Sequence, residues 1–220
     1  MSSTVRSVAP SCPPARFRGA AGLLLVPAVL GLALARPPGL GRAAVRFGFA
    51  LSGARQVPVA GLLLQRGVAD CGPTALHNLL TALGVPSPGP STLARLSGTG
   101  PTGVSLGGLV RAADAAGVAL RARRVSAAGL VGLRAPFLAW MKPHHFVTVL
   151  ALGPGGNLVL HDPGAGAYRI SLQAFRRRWG GVVADLAPGG ATSAGSRPVL
   201  FLPASSFDPG TRAPSDGRIP

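Results

Sequence analysis

The sequence predicts an α+β domain in which helices come first and an antiparallel sheet follows. Three observations lead there. Apolar residues recur at helical spacing between residues 73 and 116, whereas β-branched and aromatic runs crowd between 118 and 186. Two of those runs, Phe146–Leu152 and Leu158–His161, are joined by Gly153-Pro154-Gly155-Gly156. So short a connection makes antiparallel neighbours, because parallel strands need a long crossover.

Each element has its own signal. Pro73 to Leu83 (PTALHNLLTAL) is a helix, with proline near its start and Gly84 just past its end. Ser91–Leu96 is a short helix opened by Ser91, and Leu106–Ala116 is another, stopped by Gly117. Val118–Val125, Phe137–Met141, Phe146–Leu152, Leu158–His161 and Val182–Leu186 read as strands, and Leu172–Trp179 as a helix. The globular domain therefore spans 57–187. Residues 36–56, with Pro37-Pro38 and interspersed Gly and Arg, read as a linker. Residues 188–220, rich in Gly, Ser, Ala and Pro, read as a mostly disordered tail with a stray strand at Val199–Leu202.

Residues 1–18 are basic, and 19–35 (GAAGLLLVPAVLGLALA) are uncharged and end in Ala33-Leu34-Ala35. Basic start, apolar run and small-residue end describe a secretory signal peptide or, if uncleaved, a signal anchor. The run is short for a span and Pro27 interrupts it. The expected location is the cell envelope, anchored through 19–35 or released after cleavage.

The chain has 220 residues and a net charge of +16, with one lysine (Lys142) and no glutamate. The arginines are scattered and aromatics make up only 5%, which disfavours nucleic acid as partner. The basic N-terminal flank suits an anionic membrane surface. Cysteines occur only at 12 and 71, and Cys12 precedes the apolar run, so no disulfide framework is expected. Four histidines without His-Glu-x-x-His or paired cysteines make neither a zinc site nor any other cofactor expected. Gly98-Thr-Gly-Pro-Thr-Gly103 formally matches a dinucleotide fingerprint, but no strand leads into it and Pro101 lies inside it.

The densest chemical signal is Gln65-Arg-Gly-Val-Ala-Asp-Cys71-Gly72-Pro73. It sets a thiol at the start of an apolar helix, where unpaired N–H groups and the helix dipole favour a thiolate. Gly72 would let a substrate backbone approach, and Gln65 could add a second oxyanion donor to the Cys71 N–H. The bland alternatives are a buried structural cysteine and a surface glutamine. A thiol needs a base, and the base an orienter. His145 opens one strand of the hairpin and Asp162 ends the other, so antiparallel pairing lets them meet. Alternation turns the neighbouring His144 and His161 to the opposite face, and only a slip in register would put His144 in place of His145. His77 reads as helix surface, and Gly107-Gly108 as helix packing.

The stretch from Gln65 to about Leu186 resembles the C39 family of bacteriocin-processing cysteine peptidases. The matching pieces are Gln-x5-Cys within Asp-Cys-Gly-Pro-Thr-Ala-Leu, Gly-x4-Gly-Leu ending at Leu109, and Ala-Pro-Phe-Leu-Ala-Trp before His-Phe-Val-Thr-Val. Asp-Pro-Gly-Ala-Gly and a following Trp-Gly-Gly complete the set. The resemblance implies a papain-like fold and cleavage of leader peptides after a double glycine. It implies Cys71 as nucleophile, His145 as base and acid, Asp162 as orienter and Gln65 at the oxyanion hole. Many relatives carry this domain fused to a transporter with an ATPase. This chain has no Gly-x4-Gly-Lys-[Ser/Thr], so ATP binding is not implied and a transporter would be a separate partner. Two other functions fit the same residues: a non-catalytic peptide-binding module of the cell envelope, and a thiol transferase acting on amide bonds.

Overall fold

The computed structural model describes residue 46 and residues 48–189. The readings of 1–35 as signal or anchor, and of the tail beyond 189, lie outside the described residues.

The element order is β1 (Arg55–Gln56), α1 (Cys71–Ala82), α2 (Pro90–Ser97), α3 (Leu106–Ala115), β2 (Leu120–Arg124), β3 (Phe137–Met141), β4 (His145–Gly153), β5 (Asn157–Asp162), β6 (Gly166–Ser171), α4 (Leu172–Arg178) and β7 (Trp179–Leu186). The strands form one seven-stranded sheet in the order β1-β6-β5-β4-β3-β7-β2. Every pairing is antiparallel. The fold is thus α+β, helices first and antiparallel sheet after, as the distribution of hydrophobic periods predicts.

Helix α1 is the keystone of one core. Apart from His77 and Thr81 all its residues are buried, and Leu76, Leu79 and Leu80 are fully so. They pack with Leu93 of α2, Leu109 of α3, and Leu138, Phe146 and Ala184 of the sheet. Burying each leucine is worth roughly 1.5–3 kcal/mol, so this helix is held by packing more than by propensity. It begins at Cys71, two residues before the sequence estimate. Proline is tolerated in a first helical turn, where its missing N–H has no carbonyl to serve.

A second core includes Phe137, Val147, Val149, Leu158 and Leu160 of the sheet with Phe175 of α4 and Phe49. Phe49 belongs to a segment read as linker from sequence. Residues 48–51 are helical, Phe49 is buried, and β1 pairs with β6 through Arg55↔Arg169 and Gln56↔Tyr168. The linker reading fails here because Phe49 finds a partner, Tyr168, on a strand that sequence patterning did not reveal.

Gly72 is required by packing. A Cβ there would lie 2.2 Å from Val104 Cγ1, so the close approach it permits is of the segment leading into α3, not of a substrate. Gly108 likewise sits 2.3 Å (as a Cβ) from the Ser97 carbonyl, in keeping with its reading as a packing glycine. At the other end of the sheet, Asp185 of β7 takes Arg123 of the edge strand β2 through both carboxylate oxygens (3.0 and 2.6 Å) and Arg121 at 3.4 Å. Burial works against its charge, but the two arginines hold its carboxyl below the usual range.

Candidate active site

Cys71 is the first residue of α1, and its side chain is buried at the junction of helix and sheet. Burial alone would raise the thiol pKa. A hydrogen bond from His145, the Phe146 backbone N–H, the charge of His145 and the Gly72 N–H together outweigh it and lower the pKa.

His145 is the first residue of β4, paired with Met141 across the β3–β4 turn. Its Nε2 lies 3.0 Å from Asp162 Oδ1, which leaves Nδ1 as the ring nitrogen for Cys71. Burial would depress the imidazole, but Asp162 and Cys71 raise it to about 9. Asp162 ends β5, its carboxylate only 4% exposed against 24% for the imidazole. Its Oδ1 also accepts the Gly164 N–H at 2.7 Å, which fixes the carboxylate in the Asp-Pro-Gly turn. The expected meeting of strand start and strand end is therefore what the hairpin produces.

Gln65 reaches the same corner by another route. Its backbone N–H donates to the Pro163 carbonyl at 2.8 Å, which pins the loop before α1 to the turn after Asp162. The side-chain Nε2 donates to Gly67 O at 2.9 Å. A Cβ on Gly164 would stand 3.8 Å from Gln65 Oε1, so the amide lies beside the carboxylate corner.

Two buried polar residues that sequence reasoning passed over align these parts. Asn78 is fully buried; its Oδ1 accepts Leu63 N–H at 2.8 Å and its Nδ2 donates to Leu63 O at 2.9 Å. The same Nδ2 lies 3.0 Å from His161 Nδ1. Asn78 thus clamps the strand bearing Asp162 and the loop bearing Gln65 onto α1. Thr148, also fully buried, donates its hydroxyl to the Ala75 carbonyl at 2.8 Å, tying β4 to α1 behind Cys71 and His145. A buried asparagine and threonine inside apolar patterns were the available signals, since such groups need partners.

Of the other histidines, His161 is placed by strand alternation, whereas His144 lies outside the strand altogether. His161 turns away from the Asp162 side towards α1, and burial holds its pKa down to about 4 despite the neighbouring carboxylate. His144 lies exposed in the turn before β4 with φ +48°, and its ring meets the edge of Trp140. His77 is only half-buried but pairs with Ser87 Oγ at 2.7 Å.

A thiol at a helix start, set against an imidazole and carboxylate on adjacent antiparallel strands, defines a papain-like cysteine-peptidase domain. The chain belongs to the peptidase C39 family, whose model matches residues 61–190. An uncharacterised protein of Methanothermobacter marburgensis is 34% identical over 114 residues, 52% of this chain and 79% of that protein. Another from Methanothermobacter thermautotrophicus is 28% identical over 122 residues, 56% of this chain and 84% of that one. Among solved structures, the peptidase domain of Streptococcus ComA, a bifunctional ABC transporter of a quorum-sensing pathway, is similar at TM-score 0.52. It shares 26% identity and covers 58% of this chain and 97% of that domain. A double-glycine-motif protease from an AMS/PCAT transporter, solved with a leader peptide, is similar in fold at TM-score 0.54 and 22% identity, covering 60% of this chain and 92% of its own.

Proposed function

We propose that this protein is a cysteine peptidase acting on peptides, with leader peptides as the favoured class. The observation that carries the reading is the Cys71–His145–Asp162 arrangement, in which geometry and both perturbed pKa values agree. In the resting pair the proton resides on His145 and the charge on Cys71. The thiolate attacks the peptide carbonyl carbon, forming the C–S bond. The oxyanion is met by the Cys71 N–H at the start of α1 and by the Gln65 amide once it leaves Gly67. The imidazolium gives its proton to the departing amine as the C–N bond breaks. Water then adds to the thioester carbonyl, His145 taking its proton; the C–S bond breaks, releasing the carboxylic acid and restoring the thiolate–imidazolium pair.

The test is digestion of a peptide panel that includes double-glycine leaders, with fragments identified by mass spectrometry. Wild-type protein is expected to cut a subset of the panel, and protein first alkylated at Cys71 to cut none. Peptides retained uncut by the untreated protein would instead establish a binding module. An ABC transporter carried on a separate chain is the partner this reading suggests.

Export is part of the same proposal and rests on residues 19–35. Among the described residues no helix is long and apolar enough to cross a membrane. N-terminal sequencing of the mature protein is expected to begin just after Ala35, or at the initiator end in a membrane-bound form. An intact N-terminus on protein recovered from the cytosol would refute export.

A further inference from the structure

The family match begins at residue 61, yet residues 48–57 are built into the catalytic corner. This strap has three attachments. Phe49 is 5% exposed and stacks on Tyr168 with ring centres 4.3 Å apart and planes 10° from parallel. Its helical turn is closed by Ser52, whose hydroxyl donates to Phe49 O at 2.7 Å. The chain then adds β1 to the edge of the sheet, and Val57 N–H extends the ladder to Ala167 O at 3.1 Å. Phe49 and Ser52 face a narrow cleft of about 20 Å³ whose other walls include His145, Asp162, and Ala174 and Arg178 of α4. That space admits about one water molecule. Without the strap, this side of the imidazole and carboxylate would open to bulk solvent.

We propose that Phe49 is a positioning residue, which closes the sheet-side face of the His145–Asp162 pair and so holds the imidazole against Cys71. This rests on the peptidase reading of the same site and adds to it a segment outside the family's domain. The physical reason is twofold. A hydrogen bond between a carboxylate and an imidazolium is stronger where bulk water is kept from competing for either group. Walls that leave room for only about one water beside the imidazole also leave little room for rotamers that swing it off the thiol. The charged and titratable groups around the pair are Cys71 from α1, His161 next to Asp162 on β5, Tyr168 from β6 and Arg178 from α4, with Arg46 ahead of the strap acting on Tyr168. Phe49 is the strap's apolar contribution to the wall of the cleft beside the pair.

The test is the rate of iodoacetamide alkylation at Cys71 as a function of pH, on the full chain, with peptide mapping to exclude Cys12. Phe49→Ala is expected to move the acid midpoint upward by about one pH unit, a roughly tenfold loss of thiolate below it. Phe49→Leu, which keeps apolar volume, is expected to fall between the two. Val159→Ala, a buried truncation in a separate small cluster, is expected to leave the midpoint unmoved. A Phe49→Ala protein that folds and keeps the wild-type midpoint overturns the proposal. If Phe49→Ala does not fold, a wild-type midpoint in Phe49→Leu overturns it instead. An equal displacement in Val159→Ala also overturns it, by showing that any core damage suffices. A wild-type Cys71 titrating like a free thiol would bring down the peptidase reading itself, a different result from an unperturbed variant beside a perturbed wild type.

Discussion

His145→Ala is expected to reduce peptide cleavage about 10⁴-fold and to move the alkylation midpoint of Cys71 up to or beyond the ordinary thiol range. The thiol is buried, and burial is the largest single influence on it, acting against ionisation. His145 contributes both a hydrogen bond and a charge in the opposite sense. Only the Phe146 and Gly72 N–H groups remain once it is gone. Cys71→Ala should lose cleavage to the same extent, and the double variant should be no worse than either single one, because the two residues act as a unit. The pH dependence follows in sign. Cleavage of wild type rises as Cys71 ionises, at a pKa below that of a free thiol, and falls as His145 loses its proton near pH 9. Asp162→Ala removes one of the influences that raise the imidazole, so the alkaline limb should move to lower pH. A limb that stays near pH 9 in that variant would assign it to another group.

The second large effect is on stability. Asn78→Ala is expected to cost about 3 kcal/mol, because it leaves the buried His161 Nδ1 and the part-buried Leu63 N–H and O without their partner. Thermal unfolding should fall by roughly 6–12 °C, and Asn78→Leu, which fills the space but makes no bond, should recover little. His161 carries an acid counterpart of the same weakness. Its Nδ1 can accept from Asn78 only while unprotonated, and its pKa in the fold is about 4 against 6.5 for an ordinary histidine. A depressed folded pKa gives stability that is complete above about 6.5 and lost as pH falls through about 4. The 2.5-unit gap between 6.5 and 4 is worth roughly 3 kcal/mol, so unfolding free energy should drop by that order between pH 7 and 4. His161→Gln should be flatter over this window than wild type. An equally steep fall in that variant would assign the loss to the carboxylates.

The arrangement of Cys71, His145 and Asp162 was legible in sequence because its parts depend on local rules. A helix start carries the thiol, and a hairpin with a tight Gly-Pro-Gly-Gly turn brings one strand's start to the other's end. What escaped depends on distant partners. Asn78 and His161 are separated by 83 residues, and Thr148 and Ala75 by 73, so no window holds both members. β6 escaped because Gly166-Ala-Tyr-Arg-Ile-Ser171 is short and opens on glycine, with Arg169 breaking its apolar pattern. Its loss hid the strap, since β1 and Phe49 have no partner without it. The need for Gly72 likewise comes from a distant neighbour, since it is Val104 that fills the space a Cβ there would take.

Cys71 is the sole sulfhydryl among the described residues. A thiolate of lowered pKa is also the species that peroxide oxidises first, to a sulfenic acid. Other cysteines commonly rescue that product by condensing with it, but the described domain has no second thiol to do so. Its working lifetime is therefore set by its surroundings: in a reducing milieu the lesion is reversed by small thiols, and in an oxidising one it proceeds to the irreversible acids.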